Sequence, residues 1–338
     1  MNKIVIDAFG GDHSPEEIIY GTIDALNESK SFIAVFVGKE DKIKQVLSPL
    51  KYDESLVEIV NASEVITCED EPVLAIRKKT DSSICVAIKK INEDPDAKVF
   101  VSAGSTGAVL AGSTLKIGRI AGINRPALCP SLPTGIDGKN VLLLDAGANA
   151  DCKPINLCQF ALMGSVYAKI SGVENPKVAL LSNGTEDEKG NALNHEVFPL
   201  LKEMKEINFV GNVEARDILS GKYDVIVADG FSGNVALKSI EGAAKFVMKS
   251  LKSALTSSLK AKLGALMLKS SLYGLKDKMD YNNKGGALFI GLKKPVIKVH
   301  GSAKRVAVKA AVLQASKYAE FDIVGEITKT LSALTLSE

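Results

Sequence analysis

This sequence predicts an α/β fold: a largely parallel sheet covered by helices on both faces, three layers in all, within a single two-lobed unit spanning residues 1–338. Three observations carry it. Short apolar runs of strand length alternate with amphipathic segments of helix length. Five of those runs end in a polar residue and open into a glycine-rich bend, at Asp7, Ser102, Asp145, Ser182 and Asp229. No linker rich in Pro, Gly or Ser and no fixed-period repeat divides the chain, so two lobes sharing one continuous sheet are expected rather than separate domains.

The elements follow in order. Strands are expected over 3–8, 32–37, 57–60, 98–102, 141–145, 177–182, 208–211, 223–229 and 295–299. Runs this short and this apolar suit strands buried on both faces. After the first strand, Ser14-Pro15-Glu16-Glu17 predicts a helix start, with Ser14 as cap, Pro15 in the first turn and Glu17 closing a capping box. Helical patterns also cover 108–117 and 192–204. The segment 245–284 departs from the rest, with nine Lys against two Asp. Within it Leu251, Leu255, Leu259, Leu263 and Leu266 recur at helical spacing with most lysines off the stripe, and a turn is expected through 264–274. This projecting hairpin suits a dimer interface. It equally suits an amphipathic element that lays Leu259, Leu263, Leu266, Met267 and Leu268 on a membrane while its lysines meet anionic lipid.

Composition bounds the function. With 46% hydrophobic and 24% charged residues the chain can bury a large core. Its 42 basic and 40 acidic residues leave a formal charge of +2, so no overall field draws in nucleic acid and an anion has to be met by a local patch. The five cysteines, at 68, 85, 129, 152 and 158, never form CxxC, and only three histidines accompany them. Neither a metal site nor a cofactor is expected, and the thiols read as the reduced ones of a cytoplasmic protein. Neither a signal-peptide core nor an apolar window of the ~18 residues of a spanning helix is present in the sequence.

Chemistry is expected at the bends, because ligands of open α/β sheets gather at the carboxyl ends of strands. Between a strand and a helix start, Ser102, Gly104, Ser105, Thr106 and Gly107 offer hydroxyls and amides to an anion. The bend lacks the Lys of a P-loop and does not match GxGxxG, which disfavours a nucleotide; a well-capped structural turn is the plainer alternative. The loop 183–191 mixes three acids with Lys189, which suits a solvated loop or, with Asn183, a cation and a neutral donor for an anionic substrate. Asp229-Gly-Phe-Ser-Gly-Asn234 presents a carboxylate and an amide, enough for a general base beside an oxyanion donor. His13 reads as a local hydrogen-bonding neighbour of Asp12, and His195 as an ordinary helix residue. His300-Gly-Ser-Ala-Lys304 follows a strand and could close the cleft from its other side.

Taken together the blocks resemble the bacterial phosphate acyltransferases of phospholipid synthesis. The resemblance rests on Asp7-Ala-Phe-Gly-Gly-Asp-His13-Ser-Pro15, Ser102-Ala-Gly-Ser-Thr-Gly-Ala108, Asp145-Ala-Gly-Ala-Asn149, Asn183-Gly-Thr-Glu186 with Lys189-Gly-Asn191, and Asp229 to Asn234. Residues 281–286 and His300-Gly-Ser302 extend it, so that it covers nearly the whole chain; Phe9, where Met is expected, is a conservative departure. It implies an isopropylmalate-dehydrogenase-like fold shared with phosphotransacetylases, and a homodimer. It also implies conversion of a long-chain acyl-ACP and inorganic phosphate into acyl phosphate and free acyl carrier protein, on the way to phosphatidic acid. Peripheral contact with an anionic membrane through the hairpin, and a downstream glycerol-3-phosphate acyltransferase, complete the implied partners.

Phosphate is already an oxygen nucleophile at neutral pH, so direct attack requires no enzyme Ser or Cys. On that scheme the 102–107 bend holds phosphate and Lys189 offsets its charge. Asn183 or Asn234 then donates to the tetrahedral oxyanion, and Asp229 or Asp12 manages the proton. A short-chain phosphotransacetylase using acyl-CoA is the alternative. A decarboxylating dehydrogenase would need an arginine set for a dicarboxylate, whereas Arg77, Arg119, Arg125, Arg216 and Arg305 are scattered.

Overall fold

The computed structural model describes residues 1–279 and 285–332, of which 275–279 through the backbone alone. Residues 281–284, part of the motif that extends the resemblance, lie outside the described residues. The chain opens with β1 (Lys3–Asp7), α1 (Glu16–Ser29), β2 (Ile33–Gly38), α2 (Glu40–Leu47), β3 (Val57–Asn61), α3 (Pro72–Lys78), α4 (Ser83–Glu93), β4 (Ala97–Ser102) and α5 (Thr106–Gly112), which runs on as a π-turn over Ser113–Ile117. It crosses to a second lobe through β5 (Ala127–Cys129) and β6 (Ser131–Pro133). There it forms β7 (Asn140–Leu144), α6 (Pro154–Ile170), β8 (Lys177–Ser182), α7 (Ala192–Glu203), β9 (Asn208–Glu214) and β10 (Val225–Val227). The helices α8 (Gly230–Thr256), α9 (Leu259–Met267) and α10 (Lys269–Met279) follow, and the chain returns through β11 (Ala287–Ile290), β12 (Val296–Lys298), α11 (Arg305–Glu320) and α12 (Ile323–Ser332).

One sheet has the order β3-β2-β1-β4-β12-β11-β5 and the other β6-β7-β10-β8-β9. Both are mostly parallel, with antiparallel pairs only at β11 and β6. The expectation of one continuous sheet is therefore corrected to two, and the seam is Pro130, between β5 at the edge of one sheet and β6 at the edge of the other. Proline donates no ladder bond, so it suits this change of sheet. The central strands are apolar because helices cover both faces: Ala34, Val35, Phe36 and Val37 of β2 are wholly buried. Helix α6 is apolar all round, and residues 156–168 are all buried where it packs against β7, β8, β10, α7 and α12. A single hydrophobic cluster runs from Ile4 and Phe36 of the first lobe through Phe160 to Leu180 and Val227 of the second.

Three local expectations change. Ser14 does not cap α1; its hydroxyl donates to the Gly11 carbonyl, and Glu17 accepts from the Arg305 amide instead of closing a capping box. The leucine stripe of the hairpin is broken at Ser257-Ser258, where Ser258 caps α9. The turn falls at Leu268, between α9 and α10, while Gly264 lies inside α9. All five leucines and methionines named for membrane contact are exposed, Leu259 to 80% and Met267 to 89%. Among the described residues no helix is long and apolar enough to cross a membrane.

Candidate active site

Strands β1, β4 and β12 are parallel neighbours whose ends fall in register, Ile6 against Val101 and Ser102 against Lys298. Asp7, Ser102 and Lys298 thus form one row across three strand ends, a carboxylate, a hydroxyl and an ammonium on the same face. The Ser102 hydroxyl donates to Asp7 Oδ2 (2.7 Å) and accepts from the Gly104 amide (3.0 Å). Lys298 Nζ donates to the carbonyls of Ala103 (3.4 Å) and Val299. Burial pushes Asp7 above the usual carboxylate range, with hydrogen bonds from Ser83 and Ser102 opposing it. Burial also pulls Lys298 down to about 8, against the pull of Cys68, Asp7 and Asp12. Glycine is required at 10, where a Cβ would lie 2.5 Å from the Gly104 amide nitrogen; this contact lets the first and second bends touch.

The row corrects part of the expected anion site. Ser102 and the Gly104 amide are engaged within the bend, and both residues are buried. Ser105, Thr106 and Gly107 stay accessible at the start of α5, which Ser105 leaves without a side-chain cap, and Thr106 lines the cleft between the lobes.

In the second lobe the wholly buried Asp145 accepts five hydrogen bonds. They come from the amides of Leu128, Gly147, Ala148 and Asn149 and from the Asn149 side chain, at 2.7–3.1 Å. Asp229 is the N-cap of α8, one oxygen accepting from the Ser232 amide and the other from its hydroxyl, each at 2.8 Å. The stretch expected to be a flexible bend is therefore the first turn of a 27-residue helix. Its glycines are there for contact rather than freedom: a Cβ at Gly233 would sit 1.9 Å from the Asp145 carbonyl oxygen.

A cleft of about 420 Å³ lies between the lobes, with Thr106, Lys298, His300 and Gly301 on one side and Ala146, Gly147, Asn234 and Lys238 on the other. Asp12 reaches its rim, donating its amide to the Gly301 carbonyl (2.8 Å). His300 Nδ1 accepts from the Ser302 amide (3.2 Å), which leaves Nε2 with the hydrogen in the neutral ring. Partial burial and then Lys238 hold that ring below the usual imidazole range. Lys238 pairs with Glu241 at 3.0 Å. A second hollow of about 730 Å³ opens on the other side of the first turns of α8, lined by Asn183, Asn191, Arg216, Phe231 and Ser232.

The structure thus divides the expected constellation. Thr106 and Asn234 meet at the inter-lobe cleft with Asp12 at its rim, while Asn183 faces the second hollow and the exposed Lys189 lines neither. Lys298, Lys238 and Glu241 were not singled out from the sequence. For Lys298 a signal existed, since a lysine inside the apolar run 295–299 has no ordinary place in a buried strand. Among the described residues no group of three or more His, Cys, Asp or Glu is placed to hold a metal ion.

A model of the fatty acid synthesis protein family matches residues 2–325. A phosphate acyltransferase of Bacillus cereus (strain B4264) is 47% identical over 335 residues, covering 99% of each chain. The chain belongs to the phosphate acyltransferase family. As a phosphate acyltransferase it is an enzyme of acyl transfer to phosphate. Its fold is that of a phosphotransacetylase from Streptococcus pyogenes, which matches with a TM-score of 0.63 at 17% identity over 94% of each chain. A 4-hydroxythreonine-4-phosphate dehydrogenase from Klebsiella pneumoniae has the same architecture, with a TM-score of 0.52 at 13% identity, covering 94% of this chain and all of the other. The expected isopropylmalate-dehydrogenase-like class is thereby the observed one, and the phosphate acyltransferase shares it with enzymes of different chemistry.

Proposed function

We propose that this phosphate acyltransferase moves a long-chain fatty acyl group from acyl carrier protein to inorganic phosphate in the inter-lobe cleft. The observation that carries the reading is the meeting, in one cleft, of an uncapped helix start, a buried ammonium and an amide side chain: Thr106, Lys298 and Asn234. An oxygen of hydrogen phosphate held by Ser105, Thr106 and Gly107 attacks the thioester carbonyl carbon. Asn234 donates to the oxyanion of the tetrahedral intermediate. The C–S bond then breaks, and the thiolate takes the proton that phosphate gives up, by way of Asp12 at the rim. Asp229, with both oxygens on Ser232, serves this scheme as a helix cap. Direct attack needs no enzyme nucleophile because hydrogen phosphate is itself one, and burial pushes the Cys152 thiol up to about 11 and Cys129 well above its ordinary range, so neither offers a ready thiolate.

Asn183 is assigned to the approach of the acyl carrier along the second hollow, where the cation of Arg216 suits the phosphodiester of its prosthetic arm, and the exposed Lys189 lies outside that hollow. The lysine-rich hairpin suits an acidic carrier, and its exposed apolar residues suit a homodimer contact at the base and an anionic membrane at the tip. Acyl phosphate is a reactive mixed anhydride, so release at a membrane hands it to a glycerol-3-phosphate acyltransferase.

The test is to incubate the purified protein with labelled phosphate and either palmitoyl-ACP or acetyl-CoA. Labelled acyl phosphate from palmitoyl-ACP is the expected result. Product from acetyl-CoA alone would replace this reading with a short-chain phosphotransacetylase.

A further inference from the structure

We propose that Lys298 is the cation that holds the attacking phosphate, from the floor of the inter-lobe cleft. Its ammonium is placed rather than free. The side chain is 8% exposed, lines the cleft, and lies in register beside Ser102 at the root of the bend that presents Ser105, Thr106 and Gly107. Two of its three N–H donors go to the carbonyls of Ala103 and Val299, which fixes Nζ between the 102–107 bend and the His300 loop. The third donor is left for an anion. Other cations are worse placed: Lys238 is paired with Glu241 at 3.0 Å, and Lys189 is exposed and outside the cleft.

The surroundings make the charge effective. A buried ammonium held by neutral carbonyls is screened far less than one in water. Its acidic neighbours do not neutralise it as a tight ion pair would, since Asp7 accepts from Ser102 and Lys298 makes its own bonds to main-chain carbonyls. An incoming dianion restores the protonated state that burial disfavours. The groups that face Lys298 are Asp7 from β1, Asp12 from the bend after it, Cys68 from the loop after β3, Lys238 from α8 and His300 from the loop after β12.

This deepens the acyl-transfer reading and rests on it only for the turnover assays. The test compares wild type with Lys298→Met, which keeps the length of the side chain and removes its charge. Inorganic phosphate is titrated calorimetrically into each full-length protein, and phosphate and acyl donor are then varied separately in turnover. Phosphate affinity and the KM for phosphate are expected to weaken on the order of 30-fold or more, with the KM for the acyl donor within about twofold. A folded Lys298→Met protein with unchanged phosphate affinity overturns the assignment. If that variant does not fold, the pH profile of the wild type decides. Phosphate binding should fall as pH rises through about 8, and should do so equally in Cys68→Ser, which removes the neighbouring thiol. Binding that stays flat between roughly pH 7 and 10 overturns it. Wild type that binds phosphate but turns over no acyl donor would sink the acyl-transfer reading and leave Lys298 to the calorimetry.

Discussion

Asp7 closes β1 in one lobe and Asp145 directly follows β7 in the other; both are buried, and both are pushed above the usual carboxylate range by that burial. Their partners differ. Asp7 accepts from the Phe9 amide of its own bend and, from other elements, from Ser83 and from the Ser102 hydroxyl of β4, whose neighbour in the same row is a buried ammonium. Asp145 is satisfied almost wholly by its own bend, and its main chain forms a shelf under the first turn of α8. One local pattern, an apolar strand ending at an acid before glycines, therefore places charge in a cleft in one lobe and fixes a helix in the other. Asp229 shows a third use, as a cap, with its carboxylate turned onto Ser232.

The comparison breaks most visibly at Asp145. Alanine there removes the acceptor of five hydrogen bonds and leaves four amides without one, those of Leu128 and Asn149 buried, so Asp145→Ala should lose about 3–5 kcal/mol of folding stability, read by urea denaturation. A loss below about 1 kcal/mol would mean that the bend holds its shape without the carboxylate. Asp229→Asn sharpens the contrast from the other side. Asparagine caps as well as aspartate, so stability should change by about 0.5 kcal/mol at most and turnover should stay near wild type. A fall in turnover of about 100-fold or more in a stable protein would instead make Asp229 a general base.

The same three acids show how far the sequence could be read. Strand ends and their bends were legible because full burial demands unbroken apolar runs and a change of direction demands glycine. Strands β5 and β6 were not, since three-residue elements separated by Pro130, the second of them ending in Pro133, carry no periodicity. Nor could spacing along the chain say which side of α8 each motif would face. Asn234 and Phe231 are three residues apart in one helix and look into different hollows. Lys298 was hidden for the opposite reason: its strand was recognised, and the charge inside it was absorbed into an apolar pattern.

The smallest effect on folding and the largest contrast in binding should come from the hairpin, which differs from both lobes in having its apolar residues outside. Helix α8 runs 27 residues, about 40 Å at 1.5 Å per residue, and carries α9 away from the core. Leu263 and Leu266 are exposed, so replacing both with glutamate should leave urea stability within about 0.5 kcal/mol. On a bilayer each leucine is worth roughly 1.5–3 kcal/mol of burial, so flotation with vesicles containing anionic phospholipid should weaken by about 100-fold or more. High salt should weaken wild-type binding through its lysines, and should weaken the residual binding of the double variant, which rests on those lysines alone, still further. If flotation is unaffected while sedimentation shows the double variant dissociating into single chains, the leucines face a second copy of the chain and the membrane contact must lie elsewhere.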